Sequence, residues 1–97
     1  MADSTTSQLP FHLGDLCATP GAIDAAGQAG VRLVDFVLRH LGADWGNLDD
    51  EDKAANDHAV ANGERILSSY PLGTGQDIWI ITEADRSVTT VLLASEY

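Results

Sequence analysis

Three short runs of β-branched and aromatic residues close the chain, with very little sequence between them: ERILSSY (64–70), DIWIIT (77–82) and SVTTVLL (87–93). Runs of this length and composition read as strands. The intervening PLGTG and EADR are turn-forming stretches, too short to carry a crossover helix. Neighbouring strands must therefore pair antiparallel, as a meander. Alternation places Trp79, Ile81 and Val91 on one face and Ile78, Ile80 and Leu92 on the other. Both faces are apolar. One must be covered by whatever precedes the sheet, and the other is left for the N-terminal segment or for a partner.

What precedes it has a helical period. In ATPGAIDAAGQAG, Thr19 is a plausible N-cap, Pro20 takes the first helical position and Gly30 ends the helix. In VRLVDFVLRHLG (31–42), Leu33, Val34, Val37, Leu38 and Leu41 recur at helical spacing with Phe36 beside them, which predicts a buried helix stopped by Gly42. A third helix is expected from Leu48 to Asn62, closed by Gly63. Asp49 caps it, Asp52 imitates a capping box, and Asp49 with Lys53 makes an i,i+4 pair. Its apolar stripe, Ala55, Ala59 and Val60, is thin. QLPFHLGDL (8–16) reads as a short extended piece that Pro10 keeps at an edge. The expected architecture is α+β: two to three N-terminal helices on a C-terminal three-stranded antiparallel meander, with or without an N-terminal edge strand. Residues 1–10 form an arm and residues 11–97 a single domain.

Charge is the strongest bulk property. Fifteen acidic residues face five basic ones, for a formal net charge of −10. In the fourteen residues DWGNLDDEDKAAND (44–57), six acids stand against one lysine, so half of that charge is concentrated there. Such a surface repels phosphate backbones, which argues against direct nucleic-acid binding. It favours the basic surface of another protein, including surfaces that themselves hold nucleic acid. Helix chemistry also accounts for the cluster, since Asp50, Glu51 and Asp52 occupy a first turn where the dipole favours anions.

The residues offer little catalytic or metal chemistry. His12, His40 and His58 form no close metal pair, and each reads as structural, with His40 at the negative end of its helix and His58 facing solvent. Cys17 has no C-x-x-C partner, suits a reducing cytoplasm, and reads as a buried small hydrophobe. A calcium loop starting at Asp44 meets Gly46 and Leu48 at ligand positions, and one starting at Asp49 lacks the glycine at position 6. Gly73–Gly75 is a turn, lacking the G-K-[ST] ending of a phosphate loop. No cofactor, metal or catalytic residue is expected. No apolar run reaches membrane-spanning length, and MADSTTSQLP lacks the features of a secretory signal, so the expected setting is cytoplasmic.

The layout of helices followed by a meander resembles RelE/ParE-like toxins, which would direct attention to Arg65, Arg86 and Tyr70. The acidic charge opposes the ribonuclease activity that resemblance implies. DWGNLDDEDKAAND, NGERILSSY and IWIITEADRSVTTVLLASEY together resemble small orphan "plasmid-related" proteins of bacterial plasmids and integrative elements, over about Phe11 to Tyr97. That resemblance implies a mobile-element setting and assigns no catalytic residue. The resulting expectation is an acidic protein-binding module, an inhibitor of the anti-CRISPR or anti-restriction kind acting by charge mimicry. Its expected contact residues are Asp44, Asp49, Asp50, Glu51, Asp52, Asp57 and Trp79. The alternatives are a homodimeric structural or antitoxin-like partner anchored on Trp79, and a toxin-fold ribonuclease.

Overall fold

The structure, a computed structural model, describes residues 9–97. Most of the expected N-terminal arm, residues 1–8, lies outside the described residues; Leu9 and Pro10 are exposed, and Phe11 is the first buried side chain of the described chain. In chain order the elements are β1 (Asp15–Ala18), α1 (Pro20–Ala29), α2 (Leu33–Leu41), α3 (Asp50–Asn62), β2 (Ile66–Pro71), β3 (Asp77–Thr82), β4 (Val88–Leu93) and a 3-10 turn (Ala94–Glu96). The class is α+β. β2, β3 and β4 form the expected antiparallel meander. β1 joins its far edge, giving the order β1-β4-β3-β2, and runs parallel to β4. The edge strand therefore begins beyond Pro10, at Asp15, and the sheet is mixed. Gly14 makes this possible: at φ 66° it passes so close to the Arg86 and Ser87 carbonyls that a Cβ would overlap them.

The helix ends follow local chemistry. Thr19 Oγ1 accepts from the Ala22 amide at 3.0 Å, Pro20 opens α1, and Gly30 closes it at φ 71°. Asp49 Oδ1 accepts from the Asp52 amide at 2.8 Å, and Gly63 closes α3. The reciprocal half of a capping box is not formed there among the described residues, and Asp49 makes no ion pair with Lys53, because its carboxylate is occupied as the cap.

Helix burial departs from the apolar pattern in two places. On α2 the buried side chains are Phe36, Val37 and His40, whereas Val34 and Leu38 are 43% and 61% exposed. The helix is rotated so that a histidine takes a core position that a purely apolar stripe gives to Leu38. On α3 the buried residues are Asn56 and Ala59, and Ala55 is exposed. Cys17 is also exposed, contrary to the reading of a buried small hydrophobe, because all four residues of β1 lie exposed at the margin of the sheet.

The face assignment of the meander needs a parity correction. Trp79 is opposite Leu92 and Ile80 is opposite Val91, so even positions of β3 share a face with odd positions of β4. The inner face carries Ile66, Ser68, Tyr70, Ile78, Ile80, Thr82, Thr89, Val91 and Leu93. α1 and α2 cover it through Ala22, Ala25, Phe36 and Val37. A second apolar cluster, Phe11, Trp45, Ala59 and Ile66, joins the N-terminal segment to α3.

Candidate functional site

Between the two apolar clusters lies a wholly buried polar chain. His40 Nδ1 meets Ser68 Oγ, and His40 Nε2 is 2.9 Å from Thr82 Oγ1. Thr82 Oγ1 is 2.7 Å from Thr89 Oγ1, which donates to the Leu13 carbonyl at 2.7 Å. Phe11 and Trp45 enclose the imidazole, both edge-on, with ring centroids 5.3 and 5.8 Å away. Burial lowers the His40 pKa to about 4, so the ring is neutral and is no cation at the C-terminus of α2. A Ser–His contact is a nucleophile's signature only where substrate can reach it. Here His40 and Ser68 have no exposed surface.

The acidic run divides into two groups. Three of its carboxylates are engaged within the chain. Asp44 accepts from Arg39 Nε at 2.8 Å and from the Gly46 amide at 3.1 Å. The Arg39 hydrogen bond, first, and the Gly46 amide hold its carboxyl below the ordinary aspartate value. Asp49 is the cap of α3. Asp57 accepts from Trp45 Nε1 at 2.9 Å, which satisfies a donor on a ring otherwise sealed in the core. The other three, Asp50, Glu51 and Asp52, are exposed in the first turn of α3. Among the described residues no cation lies within ion-pair distance of them.

Trp79 is brought to the same place. It is half-buried on the outer sheet face and packs against Tyr97, with centroids 5.2 Å apart. Its indole borders a groove of about 300 Å³ lined also by Leu48, Asp52, Ala55, Asn56 and Leu67. One wall is α3 and its approach; the other is the outer face of β2 and β3.

The position of α3 against β2 depends on backbone recognition. The Asn56 side chain donates to the Leu67 carbonyl at 2.6 Å and accepts from the Leu67 amide at 3.2 Å. It pairs with the outer edge of β2 as a strand would. Just beyond, the Ser69 amide donates to the Trp45 carbonyl at 3.3 Å and the Asn47 amide donates to the Ser69 carbonyl at 2.8 Å. Gly46, at φ 78°, lies so close to the Ser69 backbone that a Cβ would overlap it. The edge of β2 is thus closed, and the acidic turn is held beside Trp79.

The arginines singled out for nuclease chemistry are engaged internally. Arg86 donates to the carbonyls of Glu64 (2.6 Å), Glu83 (3.1 Å), Ala84 (3.3 Å) and Ala59 (3.1 Å), neutralising the carboxyl end of α3. Arg65 donates to Tyr97 Oη at 2.9 Å and lies 3.7 Å from Glu83. Tyr70 is buried, donates to the Asp44 carbonyl at 2.5 Å, and has its pKa pushed up to about 12, chiefly by burial.

Sequence reasoning named Trp79 and the acids but missed Asn56 and the His40 chain. Only His40's i+3 and i+4 spacing from Val37 and Phe36 pointed inward.

The fold and site define a class: a small α+β domain that presents an acidic helix start beside an aromatic groove. Compared with known proteins, the chain matches no protein-family model, no curated protein and no solved structure.

Proposed function

We propose that this protein is an acidic protein-binding module that docks the start of α3 onto the basic surface of a nucleic-acid-handling enzyme. The observation that carries the reading is the exposed trio Asp50, Glu51 and Asp52, with no cation at ion-pair distance among the described residues, and with Asp52 lining a groove bordered by Trp79. Asp50, Glu51 and Asp52 concentrate three carboxylates in the first turn of one helix. Such a surface competes with nucleic acid for a cationic groove and speeds encounter by electrostatic steering. The resemblance to plasmid-borne proteins supports a bacterial, cytoplasmic setting for this activity, as an inhibitor of the anti-CRISPR or anti-restriction kind. Among the described residues no helix is long and apolar enough to cross a membrane.

The internal contacts favour a smaller contact set. Asp44 and Asp57 have internal duties, and Asp49 must stay free to cap, so the interaction rests on Asp50, Glu51, Asp52 and Trp79. A homodimer through the sheet face has less to draw on, because Ile81 and Leu92 are only 3% and 8% exposed there. The toxin reading has neither Arg65 nor Arg86 free for phosphate.

The test is competition. A partner captured from bacterial lysate at low salt is challenged with double-stranded DNA, using the wild type and a variant carrying Asp50→Lys, Glu51→Lys and Asp52→Lys. DNA is expected to displace the wild type, binding to weaken steeply with salt, and the variant to bind at least tenfold more weakly. Binding that ignores salt, DNA and the triple reversal overturns the proposal.

A further inference from the structure

The groove between α3 and the sheet has a composition that the chain uses twice elsewhere. Arg39 lies 4.6 Å from the Tyr70 ring centroid, with its Nε on the Asp44 carboxylate at 2.8 Å. Arg65 lies 5.5 Å from the Tyr97 ring centroid, with its Nε 3.7 Å from Glu83. In both places a guanidinium rests on an aromatic face and is held by a carboxylate. The groove has the same two kinds of side chain in its lining, Trp79 and Asp52. Among the described residues it has no cation of its own: Arg32, Arg39 and Arg65 are paired with Asp35, Asp44 and Glu83, and Arg86 is bound to carbonyls. Lys53 follows Asp52 directly, and adjacent helical positions do not face each other.

We propose that this groove is a receptor pocket for one arginine side chain presented by a basic partner segment. The inference rests on the acidic docking face proposed above and deepens it. Leu48, Ala55 and Leu67 supply apolar wall for the methylene stem. Tryptophan is the best of the aromatic rings for a cation, and Asp52 in the lining supplies the counter-charge. A planar, weakly hydrated guanidinium stacks and hydrogen-bonds in such a slot better than a lysine ammonium does. A volume of about 300 Å³ fits a single side chain and is at the small end of ligand pockets. The surrounding acids exclude anionic occupants.

The experiment uses the full ¹⁵N-labelled chain at low ionic strength and two blocked pentapeptides, Lys-Gly-Arg-Gly-Lys and Lys-Gly-Lys-Gly-Lys. The arginine peptide is expected to move the Trp79 indole N–H and the Ala55 and Leu67 amide resonances, and to bind several-fold more tightly than the lysine peptide. Trp79→Leu is expected to weaken the arginine peptide roughly fivefold or more. Asp52→Asn, which leaves the packing untouched, is expected to remove most of the arginine preference. Asp24→Asn, on α1, is expected to change nothing. Equal binding of both peptides, or shifts confined to residues 49–52 and unaffected by Trp79→Leu, overturns the arginine pocket and leaves the acidic docking face standing. If neither peptide moves any resonance, the arginine pocket falls, and the DNA competition assay decides the acidic docking face by itself. Should Trp79→Leu fail to fold, Asp52→Asn decides the question alone.

Discussion

His40 Nε2 lies 2.9 Å from Thr82 Oγ1, and counting protons along the chain of contacts assigns the donor. Thr89 has one hydroxyl proton, which it gives to the Leu13 carbonyl. Thr89 must then accept from Thr82, so Thr82 has no proton left for the imidazole. His40 therefore donates through Nε2 and accepts from Ser68 through Nδ1. The chain is complete only with a neutral ring of this tautomer, and it ties α2 to β2, β3, β4 and the N-terminal segment.

This network makes stability depend on pH in a defined window. The folded pKa of His40 is about 4, below its unfolded value of 6.5. Between those values the unfolded chain binds more protons, so stability rises with pH through the window. The contribution is fully present above about pH 6.5 and is lost as pH falls to about 4, a change of about 3 kcal/mol. Urea unfolding across this range checks it. His40→Gln is expected to be less stable at pH 7 and to flatten the slope. An unchanged slope would remove His40 as its source.

Asn56→Ala is expected to lower stability by about 2 kcal/mol, because it leaves both backbone groups of Leu67 without their partner. Hydrogen exchange gives the sharper readout: the Leu67 amide should lose protection while the Ile80 amide, in the middle of the sheet, keeps it.

The acids of the run should separate by stability. Asp57→Ala is expected to cost about 1–2 kcal/mol, since the buried Trp45 N–H loses its acceptor. Asp50→Asn should stay within about 0.5 kcal/mol, because the carboxylate has only the helix dipole to lose. Thermal unfolding of the two variants side by side is sufficient. Equal losses would mean that the division into engaged and free carboxylates is wrong.

Two glycines with positive φ provide a matched comparison. Gly46→Ala at φ 78° combines backbone strain with overlap on the Ser69 carbonyl, whereas Gly73→Ala at φ 86° meets open space. The first is expected to cost about 2–3 kcal/mol or more and the second about 1 kcal/mol. Melting temperatures in that order support the role of the 45–47 segment in closing the edge of β2.

Much of the architecture was legible because it is local. Thr19, Pro20 and Gly30 bound one helix, Asp49 and Gly63 another, and the three strand runs lie so close in sequence that only a meander can join them. The acidic run and Trp79 were legible as surface features, but nothing in their spacing, 27 residues from Asp52 to Trp79, brings them together.

By itself the sequence determined the helix caps, the meander and the site of excess charge, because each depends on residues within a few positions of one another. Tertiary structure alone decided that β1 pairs parallel at the far edge, that His40 rather than Leu38 enters the core, and that Asp52 and Trp79 share a groove. These follow from strand register and from which face α3 presents to β2. Asn56 and the Gly46 approach fix the last of these, through contacts across 11 and 23 residues of chain. Burying a polar group is favourable only when its partners are already in place, and a one-dimensional pattern cannot show that they are.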